Sequence, residues 1–153
     1  MKEISIRPAT LDDLKTLLVF EQGIVEAERP LDPFLKKGEM TYYNIPKLIS
    51  EESTHLVVAV CNNEPVGSGY IKIEETRNYY KNVQKGYIGF MYVKPAFRGN
   101  KISNIVLSSL QKWAKTKGLK ELRLDVYHNN PAAIKSYEKF GFKSSMIDMR
   151  MEI

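Results

Sequence analysis

Cysteine is nearly absent from this 153-residue chain. Cys61 stands alone, so no internal disulfide can form, and no Cys/His spacing suits a zinc site. No metal is therefore expected, and a reducing cytoplasm is the simplest home. No apolar run approaches the roughly 20 residues of a membrane helix, so no membrane partner is expected. The opening MKEISIRPAT lacks the apolar run of a secretory signal. Nor is there a linker, an internal repeat or a low-complexity stretch. A single domain over residues 1–153 is the expectation.

What is present is ordinary for a soluble fold: 43% hydrophobic and 27% charged residues. The formal net charge is +5, from 23 basic and 18 acidic side chains. Such an excess could draw nucleic acid or a polyanionic cofactor. Lys101, Lys112, Lys115, Lys117 and Lys120 gather in one segment, which is also what a solvated helix face looks like. Cys61 lies in a valine-rich stretch and reads as a small buried hydrophobe.

The patterning alternates strand and helix signals. Glu3 to Arg7 reads as a first strand. Thr10 and Asp13 form a variant capping box ahead of Leu11, Leu14, Leu17 and Leu18 at helical spacing. A second helix is expected near Tyr43 to Glu51. Leu56 to Cys61 and Val66 to Ile73 make a hairpin about the Asn62-Asn63-Glu64-Pro65 turn. A polar connection from Glu74 to Gly86 leads to a strand at Tyr87 to Val93. Ile102, Ile105, Val106, Leu110, Trp113 and Ala114 fit one helix face, closed by Gly118. Leu122, Leu124 and Val126 alternate as in a strand. Asn130-Pro131 reads as a cap with proline at the first helical position, and that helix ends at Gly141. Lys143 to Glu152 supplies a last extended segment. The sum is an α/β domain of the α+β type, with a mixed, mostly antiparallel twisted sheet of 6–7 strands and helices on both faces.

Two segments resemble the GNAT N-acetyltransferase superfamily. Val93-Lys94-Pro95-Ala96-Phe97-Arg98-Gly99-Asn100-Lys101-Ile102-Ser103 is similar to V-x-P-x-[YF]-[RQ]-x-x-G-x-[GA]. Asn130-Pro131-Ala132-Ala133-Ile134-Lys135-Ser136-Tyr137-Glu138-Lys139-Phe140-Gly141-Phe142 is similar to N-x-x-A-I-x-x-Y-E-K-x-G-F. With the order of elements, the resemblance covers essentially the whole chain. It implies a cytoplasmic enzyme that moves an acetyl group from acetyl-CoA to a primary amine, either a protein N-terminus or lysine or a small amine.

The resemblance also implies roles. The backbone from Gly99 through Asn100, Lys101, Ile102 and Ser103 to Asn104 would hold the CoA pyrophosphate at a helix N-terminus, where N–H groups lack intrahelical partners. Arg98 and nearby lysines would balance its charge. Met91, Tyr92 and Val93 would pair with the pantetheine arm, and a free N–H there would stabilise an oxyanion. Asn130 would cap its helix and meet the cofactor. Tyr137 matches the family's general acid, although spacing also allows it to pack with Ile134 and Phe140. Asp125 matches the glutamate of ribosomal-protein N-terminal acetyltransferases and is the first choice of base, against the alternative of a polar strand residue. Glu26, Glu74 and Glu75 follow it.

The chain departs from the pattern at Lys101 and Ser103, where relatives have glycine or a small residue. Lysine there either offers its ammonium to a phosphate or marks a site that has drifted. That second case motivates a non-catalytic acyl-CoA-binding sensor of the same fold, while the lysine cluster alone motivates a nucleic-acid binder. Nucleic acid is not among the expected partners. A homodimer is compatible with the sequence, which does not specify one.

Overall fold

A computed structural model describes residues 3–153; Met1 and Lys2 of the expected domain lie outside the described residues. One five-stranded sheet organises the chain, in the spatial order β1-β2-β3-β4-β5. These strands are β1 (Ile4–Pro8), β2 (Thr54–Cys61), β3 (Glu64–Glu75), β4 (Gln84–Val93) and β5 (Leu122–Leu124). The first four pair antiparallel in chain order, and β5 joins β4 in parallel. The mixed, mostly antiparallel sheet is as expected. Among the described residues the strand count is five rather than 6–7, because residues 143–153 contribute no strand. Met146, Ile147, Met149 and Met151 stand out into solvent there, so no burial of alternate side chains fixes that segment against a neighbour.

The β2–β3 hairpin turns on Asn62 and Asn63, with φ of 50° and 63°. Two successive positive φ values match the right-handed twist of a tight hairpin, and asparagine tolerates them. The connection from β3 to β4 is shorter than the sequence suggests. Both strands extend into the polar stretch, with Glu74 opposite Lys85 and Glu75 opposite Gln84.

Helices cover both faces. On one lie α1 (Leu14–Glu28) and α2 (Ile45–Ser50), and on the other α3 (Ile102–Thr116) and α4 (Pro131–Phe140). Asp13 reaches back to accept the Thr10 N–H at 2.8 Å and is gripped by both terminal nitrogens of Arg7. A 3-10 turn over Leu11–Asp13 precedes α1 and rotates the apolar face away from the expected one. The buried stripe is Leu17, Phe20, Glu21, Ile24 and Val25, while Leu11 and Leu18 are exposed. The α3 stripe is Ile102, Val106, Leu107, Leu110 and Ala114, packed on Val57, Ala59 and Ile71 of the sheet. Asn130 caps α4, its side chain accepting the Ala133 N–H at 3.3 Å.

Candidate active site

The sheet opens at its β4–β5 seam. Pairing runs through Gly86–Leu122, Tyr87–Arg123 and Ile88–Leu124 and then stops, although β4 continues for five more residues to Val93. Along that stretch β4 has no neighbouring strand on the β5 side. On its other edge the register with β3 slips between Ser68–Tyr92 and Tyr70–Gly89, so Phe90 and Met91 together face Gly69. This is a β-bulge, and Phe90 takes φ 54° to make it. A left-handed backbone is unusual for so bulky a residue and persists only where its surroundings impose it.

Those surroundings are visible. The Phe90 ring is buried and stacks on Tyr43 with centroids 4.6 Å apart. Ser68, fully buried, donates its hydroxyl to the Phe90 carbonyl at 2.9 Å. Gly69 and Gly89 leave room for the kink: a Cβ on Gly69 would lie 2.6 Å from Val106 Cγ1, and one on Gly89 2.6 Å from the Tyr70 ring. Glycines inside strands are the sequence signal for such a bulge.

A cleft of about 160 Å³ fills the opening, walled by Met91, Tyr92 and Val93 on β4, Ser103 on α3, and Ala133, Ser136 and Tyr137 on α4. Five residues singled out from the sequence therefore meet around one space. The turn after β4 continues its wall: Arg98 donates from Nε to the Val93 carbonyl at 3.1 Å, and Asn100 ties its amide to the Phe97 and Arg98 carbonyls. Gly99 and Lys101 both take positive φ, 81° and 60°. The first intrahelical bond of α3 runs from the Ile105 N–H to the Lys101 carbonyl at 3.1 Å. The N–H groups of Ile102, Ser103 and Asn104 thus precede the hydrogen-bonded ladder at the positive end of the helix dipole.

Tyr137 lies on the cleft wall, its ring edge-on to Phe142 at 6.0 Å. Burial pushes its phenol above the ordinary range, with Glu28 adding to the effect, so it stays protonated at neutral pH. The catalytic and packing readings of this residue coincide in space. Asp125 is exposed beyond the end of β5, does not line the cleft, and accepts a hydrogen bond from Tyr87 at 3.0 Å.

Other groups escaped the sequence reading because their partners lie far apart in the chain. Glu28 accepts from Tyr42 at 2.9 Å, and burial raises its carboxyl pKa. Asp32 accepts from Tyr127 at 2.7 Å and from Arg150 at 3.0 Å, and the Tyr127 hydrogen bond is the largest cause of its lowered pKa. Among the described residues no group of three or more His, Cys, Asp or Glu could hold a metal ion. No helix of the described residues is long and apolar enough to cross a membrane.

A family model described as acetyltransferase (GNAT) family matches residues 21–142. The chain belongs to that family. That family is one of acetyltransferases. An uncharacterized N-acetyltransferase of Methanocaldococcus jannaschii is 26% identical over 151 residues, covering 96% of this chain and 64% of that protein. The chain thus spans less than two thirds of that relative's length. The aminoglycoside N(6')-acetyltransferase type 1 of Stenotrophomonas maltophilia is 23% identical over 145 residues, or 92% of this chain and 87% of that one. Among solved structures, a predicted acetyltransferase from Clostridium acetobutylicum, crystallised with acetyl-CoA, superposes with a TM-score of 0.75 at 21% identity. That match covers 98% of this chain and 96% of the other, and shows the fold.

Proposed function

We propose that this acetyltransferase passes the acetyl group directly from acetyl-CoA to a cationic primary amine, within one domain and without a covalent enzyme intermediate. The observation that carries this reading is the convergence of the open β4 edge, the first turn of α3 and Tyr137 on one cleft.

Each part supplies a different share of the chemistry. The backbone of Met91, Tyr92 and Val93, without a strand neighbour on the β5 side, presents amide groups that can pair with the amides of a pantetheine arm as a sixth strand would. The N–H groups at Gly99 to Asn104 suit a pyrophosphate, with the Arg98 and Lys101 cations balancing its charge. Asn130, which caps α4, is in this reading also a hydrogen-bond partner of the cofactor. The residues present fit acetyl-CoA, an elongated polyanion with a hydrogen-bonding arm.

At the reacting end, the Met91 N–H answers the negative charge that develops on the thioester oxygen. Tyr137 holds a proton beside the cleft for the departing sulfur. A phenol has a reference pKa of about 10 against about 8.5 for a thiol, so transfer runs uphill and depends on the site's stabilisation of the thiolate. The attacking amine must first be neutral, and only about one part in a few thousand of an alkylamine is neutral at pH 7. Asp125, held by Tyr87, takes that proton through a bridging water. The carboxylates of Glu28 and Asp125 make the surroundings attractive to a cationic acceptor. A small amine and a protein N-terminus or lysine both meet this description.

Calorimetric titration with acetyl-CoA tests the site. Micromolar binding, weakened at least tenfold in Arg98→Ala, is expected, with amine-dependent release of CoA thiol. In Tyr137→Phe, kcat should fall by about a hundredfold while acetyl-CoA still binds. Binding without turnover across a broad amine panel would instead identify a non-catalytic acyl-CoA sensor. Full activity in Tyr137→Phe would remove the acid from its role.

A further inference from the structure

Ser68 lies on β3, outside both sequence motifs, yet it touches the strained bulge of the cleft wall. Its side chain is fully buried, and its hydroxyl donates to the Phe90 carbonyl at 2.9 Å. Phe90 carries φ 54° and has no ladder partner, since the register passes from Ser68–Tyr92 directly to Tyr70–Gly89. The peptide joining Phe90 to Met91 is therefore not fixed by the sheet. All described peptide bonds are trans. In a trans peptide the carbonyl and the following N–H point in opposite directions. Holding the Phe90 carbonyl toward β3 thus turns the Met91 N–H away from β3, toward the side where β4 has lost its β5 neighbour and the cleft lies.

We infer that Ser68 is a positioning residue for acetyl transfer: its hydrogen bond to the Phe90 carbonyl locks the bulge peptide so that the Met91 N–H faces the thioester oxygen. The inference rests on the proposed placement of acetyl-CoA along β4. A donor contributes to catalysis only when it is already aimed at the oxygen on which charge develops, because reorienting it during reaction would cost much of the gain. An ordinary strand would aim this N–H by ladder pairing. The bulge removes that restraint, and the Ser68 hydroxyl replaces it. Tyr43 stacks on the Phe90 ring and hydrogen-bonds the Phe90 backbone, while the Phe90 carbonyl itself is held by Ser68.

The test compares the parent with Ser68→Ala, and with Ser68→Cys, which nearly keeps the side chain's shape but offers only a weak donor. Three quantities are read: kcat and the KM values, the affinities for acetyl-CoA and for CoA, and the infrared carbonyl stretch of bound acetyl-CoA labelled with carbon-13 at the thioester. Removing a direct oxyanion donor typically lowers kcat by about a hundredfold to a thousandfold, so a residue that aims one should lower it by about tenfold to a hundredfold. The acceptor KM should stay within about twofold. Acetyl-CoA should lose affinity relative to CoA, because only the former carries the carbonyl, and the stretch should move to higher frequency.

A parent with the lowered stretch and variants that keep both that stretch and the parent's kcat would overturn the Ser68 assignment while leaving the acetyl-CoA site intact. A parent whose bound thioester absorbs as in water would overturn the placement of the Met91 N–H, and the inference with it. Equal weakening of acetyl-CoA and CoA would mark Ser68 as a general packing residue and also refute the positioning role. Should Ser68→Ala fail to unfold cooperatively, the same three readouts on Ser68→Cys support or overturn the assignment by the same criteria.

Discussion

Replacing Glu21 distinguishes a structural need for an acceptor from a need for charge. Glu21 is fully buried in α1, and its Oε2 accepts the backbone N–H groups of Tyr42 at 2.9 Å and Tyr43 at 2.8 Å. Its Oε1 is buried with no hydrogen-bond partner among the described residues. Glu21→Ala would strand two N–H groups that have no ladder to join. Each orphaned donor costs about 1–3 kcal/mol, and the emptied volume adds to that, so a loss of about 3–5 kcal/mol is expected. Glu21→Gln keeps an acceptor for both N–H groups and sheds a buried charge. Bonds to a neutral oxygen are weaker by about 1 kcal/mol each, and lower desolvation offsets part of this, leaving a loss of about 1–2 kcal/mol. With a urea slope of about 2 kcal/mol/M, the midpoint should fall by about 2 M in the alanine variant and by less than about 1 M in the glutamine variant. Because the anchored segment carries Tyr43 onto Phe90, the alanine variant should also lose activity at saturating acetyl-CoA even where it remains folded. Equal midpoints for the two variants would refute the reasoning, since the acceptor would then be irrelevant and the charge decisive.

Lys101 caps α3 with φ 60°, a conformation that costs a side chain roughly 1 kcal/mol more than glycine. Lys101→Gly should therefore raise stability by about 1 kcal/mol and weaken acetyl-CoA binding by less than about fivefold, if the backbone carries the pyrophosphate; a larger loss in calorimetry would give the ammonium the main part. High pH should weaken the fold. Burial, reinforced by Glu74 and Asp125, raises the Tyr70 phenol to about 12, and burial with the Asp32 hydrogen bond raises Tyr127 to about 12. The unfolded phenols titrate near 10, so between pH 10 and 12 the unfolded chain releases protons that the folded chain keeps, and stability falls as pH rises. Urea midpoints measured across that window should decline, less steeply in Tyr70→Phe; a flat profile would show that these phenols titrate alike in both states.

Local rules read well where the controlling atoms are close in sequence. Asn62-Asn63 made a hairpin because two asparagines accept left-handed backbone, and Asn130 capped α4 through a bond to a residue three positions on. Asp13 satisfied the Thr10 N–H as a capping box should. The leucine spacing of the first helix held only in part: Leu17 is in the core with Leu14 packed against it, while Leu11 and Leu18 face solvent. A 3-10 turn winds tighter than an α-helix, and Leu11, inside it, falls out of phase with the face that buries Leu17. The expected last strand failed because alternation alone does not bury a segment without a neighbour to receive it. In the cleft, Val93 and Ser103 of one motif and Tyr137 of the other lie beside Met91 and Tyr92 of β4. The bond from Tyr87 to Asp125 and the clasp of Asp32 by Tyr127 and Arg150 were illegible, since they join residues between 38 and 118 positions apart.

The departures from the family pattern at Lys101 and Ser103 take a different meaning in three dimensions. Lost function would be expected if lysine had forced the loop out of the left-handed conformation that glycine allows. The backbone instead keeps that conformation at Lys101, next but one to a left-handed Gly99, and α3 still begins at Ile102. The N–H groups at the helix start therefore remain available to the anion of the proposed site, and lysine bears a small conformational cost. Ser103 sits on the cleft wall, where a hydroxyl can donate to a ligand and where a larger side chain would close the space between β4 and α4. A drifting loop would lose the coincidence of these features. Their coincidence is what the proposed anion site uses, with side-chain donors supplementing the backbone.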